Sequence, residues 1–173
     1  MIRAALGLGA NLGDPRAALA GAVAGLSAHP EIEVTAVSDL WDTTPVGGPE
    51  QPDYRNAVVI VESGLAPAAL LAVAHTLEAA AQRVRDVRWG PRTLDVDILD
   101  IEGVVSADEA LTIPHPRAHL RAFVLVPWAQ VAPEWALTPA GGPQRTVSEW
   151  AALVAAESPA DAVRLVEGGT WWR

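Results

Sequence analysis

The stretch "TLDVDILDI", residues Thr93–Ile101, decides the fold. Leu94, Val96 and Ile98 alternate with Asp95 and Asp97, and a period of two is that of a strand with one buried face. The three apolar residues are expected to enter the core together. Asp95 and Asp97 then share the opposite face, about 7 Å apart at the backbone. Aspartate is a poor strand former, and like charges that close repel. The pair calls for a compensating cation. Oxygen ligands in a chain without cysteine favour Mg²⁺, which takes one or two carboxylates and completes its shell with water and substrate phosphate. A solvated outer face with two aspartates is the plain alternative.

Immediately upstream lies "RVRDVRWGPR", with Arg83, Arg85, Arg88 and Arg92. Arg83 and Arg85 fall near the C-terminus of a predicted helix from Pro67 to about Val84, where cations suit the macrodipole. Arg88 and Arg92 fall in a Gly/Pro loop and need another reason. Arginine contacts phosphate in planar, bidentate fashion, so this loop reads as a local anion site. Trp89 either packs back or covers something flat, as a lid over a nucleotide would. On the helix, Leu70, Leu71, Ala74, Leu77 and Ala81 face inward. Glu78 stands on the same stripe, either as a ligand-facing edge or simply exposed.

Farther out, Ile2–Leu8 alternates as a strand, and Asp14-Pro15 opens a helix with Leu19, Val23 and Leu26 inward. "EIEVTAVSDLW", Glu31–Trp41, reads as one second strand. "DTTPVGGPEQPDY", Asp42–Tyr54, is a long loop of the kind that carries binding groups. "RNAVVIVES", Arg55–Ser63, is a third strand. The order β-α-β-β-α-β is that of a ferredoxin-like α/β layer, a sheet covered by helices on at least one face. Beyond the fourth strand, His115 sits between two prolines in "IPHPR". It is either a phosphate contact or a turn residue with a satisfied hydrogen bond. A short helix is expected to end near Pro127. The tail after about residue 134 should hold a helix over Val147–Ala156 and a strand over Ala162–Val166, packed on one domain spanning 1–173.

Composition narrows the function classes. Half of the 173 residues are apolar, enough for a real core. There is no cysteine, which excludes disulfides, thiolate metal sites and cysteine nucleophiles and suits a reducing cytoplasm. A net charge of -9 argues against duplex nucleic acid as a partner. All 12 cationic residues are arginine, so no P-loop, protein-kinase or Schiff-base lysine is possible. "GLGANLG" imitates a dinucleotide fingerprint, but Leu12 breaks it. No signal peptide or membrane-spanning run is read in the chain.

Four segments then carry a resemblance: "GLGANLGD", "TTPVGGPEQPDYRNAVV", "LEAAAQRVRDVRWGPRTLDVDILD" and "LTIPHPRAHLRAFVLVP". In order and spacing they resemble the 6-hydroxymethyl-7,8-dihydropterin pyrophosphokinase family over about Ile2–Pro133. The resemblance implies transfer of the β,γ-pyrophosphoryl group of ATP to the pterin's hydroxymethyl oxygen, releasing AMP, in folate biosynthesis. It implies two Mg²⁺ ions on Asp95 and Asp97, with Arg83 and Arg92 also catalytic. Glu78, Arg85, Trp89, Arg92, Ile98, Thr112, His115 and Arg121 would serve ATP. Thr43, Pro45, Val46, Gly47, Tyr54, Asn56 and Phe123 would form the pterin pocket. A three-layer sandwich on a ferredoxin-like core is implied, acting as a monomer on small molecules, without nucleic acid or membrane.

The chain departs from many members at Ala10, Ala110 and Pro116, and the loop between Arg85 and Trp89 is one residue shorter. Two competing readings are a metal-dependent glycosyltransferase using Asp95 and Asp97, and a pterin- or nucleotide-binding module without turnover. No strong general base is read, although Asp97 could assist. The tail with Trp150, Trp171 and Trp172 falls outside the specific motifs.

Overall fold

Alternation along β1, Ile2–Ala10, sends Ala4, Leu6, Leu8 and Ala10 into one hydrophobic core and Ala5 into a second on the other face. The computed structural model describes residues 1–45, 48–81, 93–159 and 162–173. Helix α1, Pro15–Ala28, starts as the sequence predicts, with the Asp14 carboxylate accepting from the Ala17 N–H and Pro15 in the first turn. Its Leu19, Val23 and Leu26 are buried.

The expected single strand over Glu31–Trp41 is two strands, β2 (Ile32–Val37) and β3 (Leu40–Thr43). Ser38 causes the break. Its N–H donates to the Val58 carbonyl and its hydroxyl accepts from the Val58 N–H, both at 2.9 Å. One residue thus occupies both hydrogen-bonding positions of Val58, and the chain bends before β3 resumes.

Strand β4 (Tyr54–Ser63), helix α2 (Pro67–Ala80) and strand β5 (Asp95–Ile101) complete the ferredoxin-like core. The small strands β6 (Ser106–Asp108) and β7 (Leu111–Ile113) pair, as do β8 (Ala136–Leu137) and β9 (Arg145–Thr146). Helices α3 (Ala122–Val131) and α4 (Val147–Glu157) precede β10 (Val163–Glu167). The main sheet runs β10-β3-β4-β1-β5, with β2 also on β4, and its pairs are antiparallel. Helices α1 and α2 pack on one face through Leu19, Leu26, Leu70 and Ala74. Helices α3 and α4 pack on the other through Leu125, Trp128 and Val147. This is the three-layer arrangement that the resemblance implies.

Two further differences have physical causes. Helix α3 continues through Pro127 to Val131 rather than ending near the proline. Val124, Leu125, Pro127 and Trp128 are all buried, and this apolar contact outweighs the backbone hydrogen bond that proline cannot make. In β5 the pairing with β1 shifts, so Leu6 faces Ile98 while Ala5 faces Asp100. This bulge reverses the alternation. Leu99 joins the second core, and Asp100 reaches Trp135 of that same core.

Candidate active site

The predicted alternation in β5 is what the structure has. Val96 and Ile98 are buried in the first core beside Leu94, whereas Asp95 and Asp97 line a cavity of about 800 Å³ on the opposite face. A second cavity of about 320 Å³ lies alongside, and Asp97 borders both. The two aspartates are half-buried. Among the described residues no cluster of three or more His, Asp or Glu side chains is placed to hold a metal. The chemistry of this pair nonetheless fits Mg²⁺, since two hard oxygen donors leave the remaining positions to water and phosphate.

The larger cavity gathers Thr43, Pro45, Tyr54, Asn56 and Phe123, all expected at the pterin. Val46 and Gly47 lie outside the described residues. Asn56 and Thr43 are buried side chains joined across β3 and β4, the Asn56 amide donating to the Thr43 hydroxyl at 2.8 Å. Tyr54 donates to Gln51, and buried Asn11 holds the same loop by donating to Gln51 and to the Pro52 carbonyl. The floor is Gly7 and Gly9. A Cβ on Gly9 would stand 3.2 Å from Asn56 Oδ1, so the glycine leaves room for the close approach of the Asn56 amide.

The smaller cavity gathers Glu78, Ile98, Thr112 and His115, all expected at ATP. Glu78 is not the exposed alternative. It is buried, and its carboxylate accepts from the Val96 N–H at 2.9 Å, tying α2 to β5 between the aspartates. The Thr112 hydroxyl donates to the Asp108 carbonyl. His115 Nδ1 accepts from the Arg117 N–H at 3.1 Å, so in the neutral ring the proton sits on Nε2. Burial, then Arg121 and Arg117, lower the His115 pKa to about 4.

Arg121 lines the larger cavity, with its guanidinium 5.5 Å from the Phe123 ring centre. Burial lowers its pKa, while Asp97 and Asp95 act to raise it, which places its charge in the field of both carboxylates. Arg83, Arg85, Arg88, Trp89 and Arg92 lie outside the described residues.

The chain also matches known proteins. A profile of the family described as 7,8-dihydro-6-hydroxymethylpterin-pyrophosphokinase matches residues 5–133. The chain belongs to that family. It is 49% identical over 134 residues to the 2-amino-4-hydroxy-6-hydroxymethyldihydropteridine pyrophosphokinase of Methylorubrum extorquens, covering 78% of this chain and 85% of the relative. The Mycobacterium tuberculosis protein of the same name is 41% identical over 175 residues, covering 95% and 90%. In fold it resembles the Plasmodium falciparum HPPK-DHPS solved with pteroate, with a TM-score of 0.68 at 13% identity. That match covers 90% of this chain but only 43% of the longer Plasmodium chain.

Reading the sequence misses several residues that line these two cavities. In that reading Gly7 and Gly9 register as a broken dinucleotide fingerprint and within the segment "GLGANLGD", with no site role assigned, yet both lie within β1 and line the larger cavity. Two glycines spaced by two in a strand do signal a close approach on one face. His75 and Glu109 line the smaller cavity, and Ser158, Pro159, Ala162 and Val163 line the larger one. No local pattern marks these residues.

Proposed function

We propose that the two cavities divide the substrates of the family's reaction between them. The chain transfers pyrophosphate from ATP to hydroxymethyldihydropterin in folate biosynthesis, with AMP leaving as the pterin oxygen bonds to the β-phosphorus. The larger cavity takes the pterin, the smaller takes ATP, and the reacting atoms meet at Asp97. The position of Asp97 on both cavities carries this reading.

Asn56, with one amide hydrogen committed to Thr43, presents amide functionality to the polar edge of the pterin. Phe123 offers a ring face for stacking. His115, neutral near pH 7, directs its Nε2–H at a phosphate oxygen without adding charge. Arg121 neutralises charge developing beside the two carboxylates. Asp95 and Asp97 would hold Mg²⁺, two ions being the expectation; bound there, the metal would screen the aspartates and polarise phosphate oxygens. Arg83, Arg85 and Arg92 are proposed phosphate contacts, and Trp89 a cover for the nucleotide. Phosphoryl transfer through a loose transition state relies on such positioning more than on a general base. A cysteine-free chain using ATP suits the cytoplasm, and a monomer suffices for the site.

The test is product analysis with ATP, Mg²⁺ and the pterin. AMP is expected, and ADP instead would overturn the reading. Asp97→Ala should lower kcat at least about 100-fold while pterin binding, followed by fluorescence, largely survives. A near-normal rate in that variant would remove the metal role.

A further inference from the structure

Strand β10 lies beyond the segment the family profile matches, yet it borders the larger cavity. Val163 stands opposite Thr43 on β3, and Thr43 stands opposite Tyr54 on β4. All three line the cavity, forming one row across three strands, with Ser158, Pro159 and Ala162 extending the wall. We propose that β10 is a working wall of the pterin side, with Val163 a substrate contact and Arg164 a positioning residue. This rests on the reading of the larger cavity as the pterin side.

Alternation assigns the neighbouring residue a different job. Arg164 stands opposite Asp42, which stands opposite Arg55. The Arg164 guanidinium pairs with Asp53 at 2.5 Å, and Arg55 pairs with Asp42 at 2.5 Å. Asp53 directly precedes Tyr54, so Arg164 ties the wall strand to a residue adjoining the pocket. Farther along, Glu167 pairs with Arg16 at 2.8 Å, the Gly169 N–H donates to Asp39, and the buried Trp171 indole donates to the Ser38 carbonyl. Partly exposed ion pairs contribute little to stability singly. Their consequence here is placement: Arg164 anchors β10 to the residue ahead of β4 and Glu167 anchors it to α1, while strand pairing joins β10 to β3, whose Thr43 accepts from Asn56 in the pocket.

The experiment compares both Michaelis constants, pterin Kd by fluorescence, and thermal midpoint for wild type, Val163→Phe, Arg164→Ala and Arg164→Lys. Val163→Phe should raise pterin KM and Kd about tenfold, from steric filling of a contact position, with ATP KM within about twofold. Arg164→Ala should raise pterin KM about fivefold, with most of the effect reversed in Arg164→Lys, which keeps the charge. If Arg164→Ala does not fold, Val163→Phe on the edge strand carries the test. Unchanged pterin constants, or equal rises for both substrates, would overturn the proposal. Wild-type protein that binds the pterin but forms no AMP would overturn the assigned reaction and leave the wall standing. Wild-type protein that binds no pterin would overturn both.

Discussion

Gly9 sits where three strands meet the pocket, opposite Asn56 on β4 and Asp95 on β5. A methyl group there meets Asn56 Oδ1 at 3.2 Å and displaces the amide by a few tenths of an ångström. In a strand, alanine has less backbone freedom to lose than glycine, by about 0.5–1 kcal/mol. Stability and binding should therefore separate. Gly9→Ala is expected to leave the urea midpoint equal or higher while weakening pterin binding about fivefold to tenfold, a loss of about 1–1.4 kcal/mol. An unchanged Kd in a folded variant would show that Asn56 has room to move. Asp95 and Asp97 are legible in the sequence because a period of two puts charge and core on opposite faces of one short segment. Gly9 is not, because its role depends on an Asn that is distant in sequence.

Elements show the same division between local and distant information. Helix α1 carries two glycines with different surroundings. A Cβ on Gly21 meets nothing within 4 Å, whereas one on Gly25 would collide with Leu77 Cδ2 of α2. Gly21→Ala should therefore stabilise the protein by about 0.5–1 kcal/mol, the helix-propensity gain. Gly25→Ala should lose most of that gain, because Leu77 must shift in a packed interface. Urea unfolding of the two variants checks this, and equal gains would mean that α1 and α2 pack more loosely than the contact implies. The start of α1 and the ends of α4 are readable to within a residue from caps and periodicity. The break at Ser38 is not, because a side chain bonded to Val58 causes it. The helix through Pro127 is not, because tertiary burial overrides a local rule. Periodicity places the last strand within one residue, at Val163–Glu167 against an expected 162–166. Its partner, however, is β3, far away in the chain, and so its place on the pocket wall is hidden.

At the scale of the whole molecule, two desolvated groups shape stability against pH in opposite senses. Burial raises the Asp100 pKa from 3.8 to about 6, although Trp135 donates to its carboxylate. Burial and two arginines lower that of His115 from 6.5 to about 4. Between about pH 4 and 6, folded Asp100 holds a proton that the unfolded chain has lost, so it favours the folded state more as pH falls. Between about pH 6.5 and 4, unfolded histidine holds a proton that folded His115 lacks, so its contribution is lost as pH falls. Near pH 5 the two slopes cancel, and each alone is worth about 1–2 kcal/mol after discounting for partial exposure. Asp100→Asn keeps an acceptor for Trp135 and removes only the titration. Relative to wild type, its stability should fall more steeply from about pH 6.5 to 4. His115→Gln should do the reverse and gain stability relative to wild type over the same descent. Urea midpoints measured at about pH 4.5, 5.5 and 7 check both. Because each comparison is a difference from wild type, titrations common to the proteins, including that of His119, drop out. Variants that simply parallel wild type at all three pH values would show that neither group is as desolvated as its burial implies.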